Sequence, residues 1–260
     1  MKVIIFCGGK GTRLREETEF KPKPMVEIGG RPIMWHLMQR YAHYGYKDFV
    51  LPLGYRGDVI KQYFHDYKTR NSDFSIDLAT GMTTVHNEDA CLDWRVTLCD
   101  TGEETEKGGR IKRVAGHLGA GPFMAAYGDG VANINIAELA RFHQSHGKIG
   151  TFTGVRMPSR FGTVSTDHAG NIESWEEKPL LNQFTNCGFF VFQPEFLDYL
   201  SEDEDCDLEK EPLERLAREG QLAMFRHSGF WQCMDTLRDH QLLNALWAEG
   251  NAPWTGGLGG

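Results

Sequence analysis

The chain has 260 residues, of which 40% are hydrophobic, and 36 acidic against 28 basic residues give it a formal net charge of −8. This length and apolar content predict one α/β domain with a sizeable buried core. The acidic balance disfavours a general nucleic-acid partner, which needs a basic surface. The sequence contains no apolar run of about 20 residues, so we expect no membrane-spanning helix and no membrane partner.

The six cysteines form no Cys-x-x-Cys pair, and the ten histidines show no His-x-His or His-x-x-x-His spacing. A zinc site is therefore disfavoured. A core of this size does not need disulfides, so we expect reduced thiols and a cytoplasmic location. The sequence runs directly into an apolar β-prone segment, from which we expect no signal peptide.

The first residues predict a phosphate-binding turn. An apolar, β-prone run over residues 3–6 is followed at once by Gly8, Gly9 and Gly11. Glycines after a strand let backbone N–H groups approach a polyphosphate, because no Cβ blocks the path. The pattern therefore predicts a loop that binds a nucleoside triphosphate.

Spacing excludes two common phosphate motifs. A Walker A loop ending at Gly9 and Lys10 would need a glycine at position 4, where Ile4 stands. A dinucleotide fingerprint starting at Gly9 would need a glycine at position 14, where Leu14 stands. Two cations that follow the glycines, Arg13 and Lys23, would instead supply positive charge for the phosphates.

Apolar periodicity predicts alternating strands and helices over residues 1–150. Predicted strands cover residues 3–6, 49–51, 74–78, 95–99, 123–127 and 149–155. Predicted helices cover residues 32–41, 59–64, 108–118 and 136–145. This alternation predicts a Rossmann-like, doubly wound and mostly parallel sheet, with residues 1–150 as the nucleotide-binding half.

The pattern changes over residues 151–254. Predicted elements there are a hairpin (163–166 and 172–177), a strand (187–192), a helix (208–219) and a last helix that begins with the capping pattern Thr236-x-x-Asp239. These elements form a small hairpin and helical part. It completes one domain, 1–254, and the glycine-rich residues 255–260 are predicted to form a flexible tail.

Two aspartates are candidate metal ligands. Asp129 follows a predicted strand, and ligands of open α/β sheets bind at the carboxyl ends of strands. Alone, its Gly-Asp-Gly setting is also typical of an ordinary turn, and Asp235 alone would suit a helix N-terminus. Together they fit Mg²⁺, which prefers one or two carboxylates plus substrate phosphates. Such an ion would reduce the repulsion between two reacting anions, so the pattern favours nucleotidyl transfer driven by positioning and electrostatics.

Lys178 lies in Glu177-Lys178-Pro179 at the end of the predicted hairpin. It is a candidate clamp on a substrate phosphate, because the following proline restricts the backbone and directs the side chain. A lysine in this position is also typical of an exposed strand end, so the pattern alone leaves both interpretations open.

In this order, the motifs resemble those of the sugar-1-phosphate nucleotidyltransferases, and most closely the branch that uses CTP and glucose 1-phosphate. The resemblance covers nearly the whole chain. The matching segments are 8–14, 16–18, 21–30, 100–102, 108–114, 127–131, 160–162, 177–179, 188–191, 231–236 and 252–254.

The resemblance implies a nucleotide-diphospho-sugar transferase fold and a homo-oligomer that makes CDP-glucose and pyrophosphate. It also implies that the small hairpin and helical part over residues 151–254 binds the sugar phosphate and contributes to oligomerisation. The nucleotide-binding residues implied are Gly8, Gly9, Gly11, Thr12, Arg13, Lys23, Thr101, Gly102, Arg110 and Asp129. The sugar-phosphate-binding residues implied are Gly162, Glu177, Lys178 and Asn186. The catalytic residues implied are Arg13, Lys23, Asp129, Lys178 and Asp235, with Asp129 and Asp235 binding Mg²⁺.

Two positions depart from the family pattern. Cys187 stands where a second glycine is usual, and Cys233 stands where proline is usual. Both lie near the expected sugar or metal site, so a different sugar 1-phosphate, or UTP or dTTP, remains an alternative substrate. A silent nucleotide-binding subunit would not need both aspartates and Lys178. A kinase-type phosphotransferase would need a hydroxyl-activating base, for which the sequence offers no clear candidate.

Overall fold

Fifteen strands and eight α-helices form within residues 1–9, 11, 14–86 and 92–256, which are the residues that the computed structural model describes. The strands are β1 (Val3–Phe6), β2 (Glu27–Ile28), β3 (Arg31–Pro32), β4 (Asp48–Leu53), β5 (Phe74–Ile76), β6 (Thr83–Val85), β7 (Arg95–Asp100), β8 (Phe123–Tyr127), β9 (Gly130–Ala132), β10 (Gly150–Pro158), β11 (Thr163–Thr166), β12 (Ile172–Glu176), β13 (Leu180–Phe192), β14 (Leu222–His227) and β15 (Trp231–Cys233). The helices are α1 (Arg15–Thr18), α2 (Ile33–His43), α3 (Gly57–His65), α4 (Tyr67–Arg70), α5 (Lys107–Arg113), α6 (Ile136–His146), α7 (Glu211–Arg218) and α8 (Leu237–Ala248). Short 3-10 turns cover Lys23–Met25, Ala115–His117, Pro194–Tyr199 and Pro253–Thr255.

A seven-stranded sheet in the order β14-β10-β13-β8-β1-β4-β7 forms the centre of the fold. Strand β1 runs parallel to both of its neighbours, β8 and β4, and β7 extends the β4 side in parallel. Strand β13 is antiparallel to β8 and β10, while β14 pairs with β10 in parallel. The prediction of a mostly parallel, doubly wound sheet is therefore confirmed.

Helices cover both faces of this sheet, which explains the continuous apolar runs in its central strands. Ile5 and Met124 face a core that includes Leu37 of α2 and Leu139 of α6. Ile4 and its neighbours on the opposite face pack in a second core with residues of α5 and α7. Strand β1 is buried along its whole length, so the turn that follows it starts from a rigid position.

Several predicted boundaries differ from the structure, among them those of α7, α5 and β13. Helix α7 begins at Glu211 rather than at 208, because Pro212 lacks a backbone N–H and fits only the first turn. The helix predicted over 108–118 ends at Arg113 and continues as a 3-10 turn. Strand β13 begins at Leu180, seven residues before the predicted start, because its first half is exposed and lacks the apolar run that marked the second half.

The C-terminal segment packs beside the turn that carries Lys23. Helix α8 begins with the predicted capping box, in which Thr236 and Asp239 exchange hydrogen bonds. Leu243 and Trp254 are buried with Val26 in a third apolar cluster. The end of the described chain is also held, because Arg40 Nη1 donates to the Gly256 carbonyl at 2.7 Å. Residues 257–260 of the predicted flexible tail lie outside the described residues.

The predicted hairpin of the second half forms from β11 and β12, with Val164 opposite Trp175. All residues of these two strands are exposed. In the described part of the chain, no helix combines the length and the apolar character that a membrane span requires.

Candidate functional site

A cavity of about 560 Å³ opens at the carboxyl ends of β1 and β8. This is the edge at which doubly wound sheets bind ligands. Its lining residues are Phe6, Gly8, Gly9, Gly11, Lys23, Pro24, Glu103, Glu104, Thr105, Glu106, Lys107, Arg110, Tyr127, Gly128, Asp129 and Glu209. The structure thus places the three predicted loop glycines, Lys23, Arg110 and Asp129 around one space.

Gly8 and Gly11 of the glycine loop lie against side chains that leave little room for larger residues. A Cβ at Gly8 would lie 2.1 Å from the guanidinium carbon of Arg110. Gly11 has a positive φ of 62°, which glycine adopts without strain, and its carbonyl accepts from the Thr18 hydroxyl at 3.1 Å. Thr12 and Arg13 lie outside the described residues, so their roles in nucleotide binding stay predictions.

Lys23 connects the two predicted metal ligands. Its ammonium nitrogen lies 2.6 Å from Asp129 Oδ2 and 2.5 Å from Asp235 Oδ1. The Lys23 side chain is only 9% exposed, whereas the two carboxylates are more accessible. The structure therefore brings Asp235 together with Asp129, which lines the cavity, at the Lys23 ammonium.

A short antiparallel ribbon explains how these distant aspartates meet. Asp129 directly precedes β9, and Asp235 is the second residue after β15. The two strands pair with Cys233 opposite Gly130, and the Met234 N–H donates to the Asp129 carbonyl at 2.8 Å. The backbone thus holds both carboxylates at the same end of the ribbon, above the 3-10 turn that carries Lys23.

The electrostatics of this group favour a cation between the carboxylates. Burial alone would lower the pKa of Lys23, but the charges and hydrogen bonds of Asp129 and Asp235 raise it above its usual value. The Lys23 ammonium thus occupies the position that a cation would take between two hard oxygen ligands. Mg²⁺ typically uses one or two carboxylates together with phosphate oxygens, so this donor set fits Mg²⁺.

Cys233, one of the two departures from the family pattern, lies at this group. Its thiol donates to Asp235 Oδ2 at 3.6 Å. Burial and then the nearby carboxylates of Asp235 and Asp129 raise the pKa of Cys233 to about 12, so the thiol remains a neutral donor. The other departure, Cys187, is buried on β13, and its carbonyl accepts from Trp231 Nε1 at 2.9 Å.

Arg110 fastens the loops of the nucleotide-binding half to one another. Its guanidinium donates to five oxygens: the carbonyls of Gly8, Leu53, Gly102 and Glu103 and the hydroxyl of Thr101. The Thr101 hydroxyl in turn donates to the Leu53 carbonyl at 2.7 Å. Arg110 also lines the cavity, whereas Thr101 and Gly102 do not. These two residues are connected to the cavity through their hydrogen bonds with Arg110.

The predicted sugar-phosphate residues do not line this cavity. Gly162, Glu177 and Lys178 lie together near the hairpin of β11 and β12, where a Cβ at Gly162 would lie 3.0 Å from the Glu177 carboxylate. The Lys178 side chain is 62% exposed, and its backbone has a left-handed φ of 51°. Asn186 alone reaches toward the cavity, because its amide Nδ2 donates to the Tyr127 hydroxyl at 3.3 Å.

Among the residues of the cavity wall that sequence reasoning missed, three interact with one another: Tyr127, Lys107 and Glu209. Tyr127 ends β8, and its hydroxyl donates to Glu209 Oε1. Lys107 Nζ lies 3.1 Å from Glu209 Oε2 and 5.5 Å from the centre of the Tyr127 ring. These residues come from three distant segments, so no local pattern points to them. The only sequence signal is the position of Tyr127 two residues before Asp129.

The fold and the cavity define a nucleotide-binding α/β protein, since the glycine turn and the converging carboxylates meet where such sheets take phosphates. Within this class, the chain belongs to the nucleotidyl transferase family, whose model matches residues 2–239.

Comparison with known proteins narrows the resemblance. The chain is 47% identical over 256 residues to the glucose-1-phosphate cytidylyltransferase of Salmonella typhimurium, covering 98% of both chains. It is 41% identical over 254 residues to a probable glucose-1-phosphate cytidylyltransferase of Bacillus subtilis, covering 98% of this chain and 99% of the relative. A solved putative glucose-1-phosphate thymidylyltransferase from Bacillus anthracis superimposes with a TM-score of 0.65 at 19% identity, covering 95% of this chain and 94% of the other. The last similarity concerns the fold alone.

Proposed function

We propose that this protein is a glucose-1-phosphate cytidylyltransferase, which condenses CTP and α-D-glucose 1-phosphate to CDP-glucose and pyrophosphate. The convergence of Asp129 and Asp235 beside the glycine loop is the structural observation that carries this proposal. The 47% identity to the Salmonella enzyme over nearly all of both chains supports the choice of CTP and of glucose 1-phosphate.

In this reaction a phosphate oxygen of the sugar attacks the α-phosphorus of CTP, and pyrophosphate leaves. Both reactants are anions, so the protein must position them and offset their charge. The loop glycines would present backbone N–H groups to the triphosphate, and Arg13 and Lys23 would add full positive charges. The attacking oxygen is already ionised, so no general base is required.

Asp129 and Asp235 would hold Mg²⁺, which when bound supplies positive charge to the phosphates. Without such an ion, two converging carboxylates would repel each other and the triphosphate. Lys23 supplies the balancing charge in the structure, since its ammonium lies within 2.6 Å of both side chains. Lys23 would therefore keep the metal-free site compact.

Lys178 and Glu177 are the proposed contacts to the sugar phosphate, together with Gly162 and Asn186. A left-handed backbone is rarely adopted by a residue with a side chain and costs on the order of 1 kcal/mol or more. Lys178 adopts it at the end of the hairpin. Strain of this kind at an exposed lysine supports a functional rather than a structural role for that side chain.

The wider setting follows from the same proposal. We infer a cytoplasmic enzyme that acts on small molecules and forms homo-oligomers, with residues 1–150 as its nucleotide-binding half and residues 151–254 as its sugar-phosphate half. The exposed strands β11 and β12 support oligomerisation, because an isolated two-stranded hairpin is only marginally stable in water.

A matrix of CTP, UTP, dTTP, ATP and GTP against several sugar 1-phosphates, scored by pyrophosphate release with Mg²⁺, tests the proposal. We expect the highest kcat/KM with CTP and glucose 1-phosphate. Turnover with UTP or dTTP that equals turnover with CTP would contradict the assignment of the nucleotide. The Asp129→Asn variant is the negative control. If this variant releases pyrophosphate at the wild-type rate, the pyrophosphate does not come from the proposed site.

A further inference from the structure

A chain of hydrogen bonds crosses from the sugar-phosphate half to the wall of the nucleotide cavity. The Asn186 amide donates to the Tyr127 hydroxyl at 3.3 Å, and this hydroxyl donates to Glu209 Oε1. Lys107 closes the chain, with its Nζ 3.1 Å from Glu209 Oε2. The chain joins β13, β8, α5 and the segment before α7, which are far apart in sequence.

The orientation of each group in this chain is fixed. The Gly188 N–H donates to Asn186 Oδ1 at 2.9 Å, which leaves the amide nitrogen of Asn186 directed at Tyr127. Gly188 itself has a positive φ of 79°, and a Cβ there would lie 2.5 Å from the Tyr127 ring. The close approach of β13 to Tyr127 therefore requires glycine at position 188.

The Tyr127 hydroxyl has one proton, and the structure determines where it points. A carboxylate can only accept, so this proton is donated to Glu209 and the oxygen accepts from Asn186. Because the Asn186 amide carries a second N–H, it can hold Tyr127 and a sugar hydroxyl at the same time.

We propose that Tyr127 and Glu209 are positioning residues that orient Asn186 for the sugar 1-phosphate, and that they affect the KM of that substrate more than the KM of CTP. This inference rests on the proposed function, which places Asn186 in the sugar-phosphate half. Neither side chain needs to touch the sugar, because Glu209 acts on Tyr127 and Tyr127 acts on Asn186.

The Tyr127→Phe variant removes the hydroxyl and keeps the ring. We expect KM for the sugar 1-phosphate to rise about three- to tenfold, the range of one lost hydrogen bond. KM for CTP should rise less, because Tyr127 lines the nucleotide cavity but its hydroxyl is already donated to Glu209. Glu209→Ala should behave in the same way, whereas Glu209→Gln retains an acceptor for the Tyr127 hydroxyl and should keep most of the wild-type KM. Equal rises in both KM values, or equal effects of Glu209→Gln and Glu209→Ala, would overturn the proposal.

Tyr199 offers a matched control. Its hydroxyl donates to Glu219 at 2.5 Å and Arg215 lies over its ring, so it repeats the arrangement of Tyr127, Glu209 and Lys107. Tyr199 does not line the nucleotide cavity. Tyr199→Phe should therefore leave both KM values unchanged.

A double-mutant cycle separates positioning from a general structural role. In the Asn186→Ala background, Tyr127→Phe should have little further effect on KM for the sugar 1-phosphate, because its target is gone. Fully additive effects would contradict the proposal. If Tyr127→Phe lowers the melting temperature too far for kinetics, the comparison of Glu209→Gln with Glu209→Ala decides the question alone.

The wild-type substrate matrix keeps this test separate from that of the proposed function. If the wild type prefers another nucleotide or another sugar phosphate, the proposed function fails. The positioning role is then tested by measuring the ratio of the two KM values with the preferred pair of substrates. If CTP and glucose 1-phosphate are preferred and the ratio does not change in Tyr127→Phe, the positioning role fails alone.

Discussion

Met234 and Asp129 are joined by a backbone hydrogen bond of 2.8 Å, from the N–H of Met234 to the carbonyl of Asp129. This bond ends the ribbon of β9 and β15 and places Asp235 beside Asp129. Lys23 then contacts both carboxylates from a third segment, 106 and 212 positions away from them in sequence. The proposed metal site therefore depends on backbone pairing and does not require a preformed loop around an ion.

The two aspartates should act as one unit. We expect Asp129→Asn and Asp235→Asn each to lower turnover at saturating Mg²⁺ by more than about tenfold, which corresponds to about 1.4 kcal/mol in the barrier. The double variant should be little worse than either single one, because each loss disrupts the same site. Turnover of the two single variants and the double variant measures this directly, and additive losses would count against a shared ion.

Lys23 should contribute to catalysis and to the balance of charge in the metal-free site. Lys23→Met should lower kcat by about 10²- to 10³-fold, by analogy with the loss of one preorganised donor to a developing charge. It should also leave the carboxylates of Asp129 and Asp235 to repel each other. Mg²⁺ should therefore raise the melting temperature of Lys23→Met more than that of the wild type, since an ion that binds only the folded state stabilises it.

Thermal unfolding of both proteins at several Mg²⁺ concentrations measures this difference without reference to activity. Na⁺ at matched ionic strength controls for screening. An equal shift in both proteins would show that Lys23 and the ion do not share the carboxylates. Adding Asp235→Asn to Lys23→Met should remove the extra shift.

The sequence predicted the parts of this site that depend on local pattern. The apolar run of β1 is followed by glycines, and the apolar run of β8 is followed by Asp129. Both patterns can be recognised within a few residues of sequence. The contact of Lys23 with both aspartates could not be predicted in this way, because it depends on the pairing of β9 with β15. The role of Glu209 was missed for the same reason, since its partners lie on α5 and β8.

Arg110 shows a different limit of sequence reasoning. The resemblance implied a contact to the nucleotide, and the structure shows a buried side chain that holds the Gly8, Leu53 and Gly102 carbonyls. A motif match identifies the position of the arginine. It does not show which of the five N–H donors of the guanidinium bind the ligand and which bind the backbone. That division depends on the folded loops around it.

Removal of the Arg110 guanidinium should destabilise the fold as well as the site. We expect Arg110→Met to lower the free energy of unfolding by about 2–4 kcal/mol, because it leaves several buried oxygens without their donor. Arg110→Lys should recover little, since an ammonium cannot reproduce the planar fork. Urea unfolding measures both, with the exposed Arg141→Met as control. A loss of activity with unchanged stability would assign Arg110 to ligand binding alone.

A buried histidine on α6 should make the stability of the protein depend on pH. His143 is fully buried, and its Nδ1 lies 2.8 Å from the Thr151 hydroxyl while its Nε2 lies 3.0 Å from the Gln193 amide. Burial and then the neighbouring His146 lower the pKa of His143 from 6.5 to about 4. As the pH falls through this interval, the unfolded chain takes up a proton that the folded chain does not, so the free energy of unfolding decreases.

The loss that His143 contributes between pH 6.5 and pH 4 should reach about 2–3 kcal/mol, given about 1.4 kcal/mol for each unit of pKa difference. Other groups titrate in the same interval, so the test compares urea unfolding of the wild type and of His143→Gln from pH 7 to pH 4.5. The variant keeps a hydrogen-bonding side chain opposite Thr151 and should show a flatter dependence on pH. His168→Gln, at an exposed turn, should match the wild-type curve. If the His143→Gln curve runs parallel to that of the wild type, His143 is protonated equally in the folded and unfolded states, and the acid sensitivity arises elsewhere.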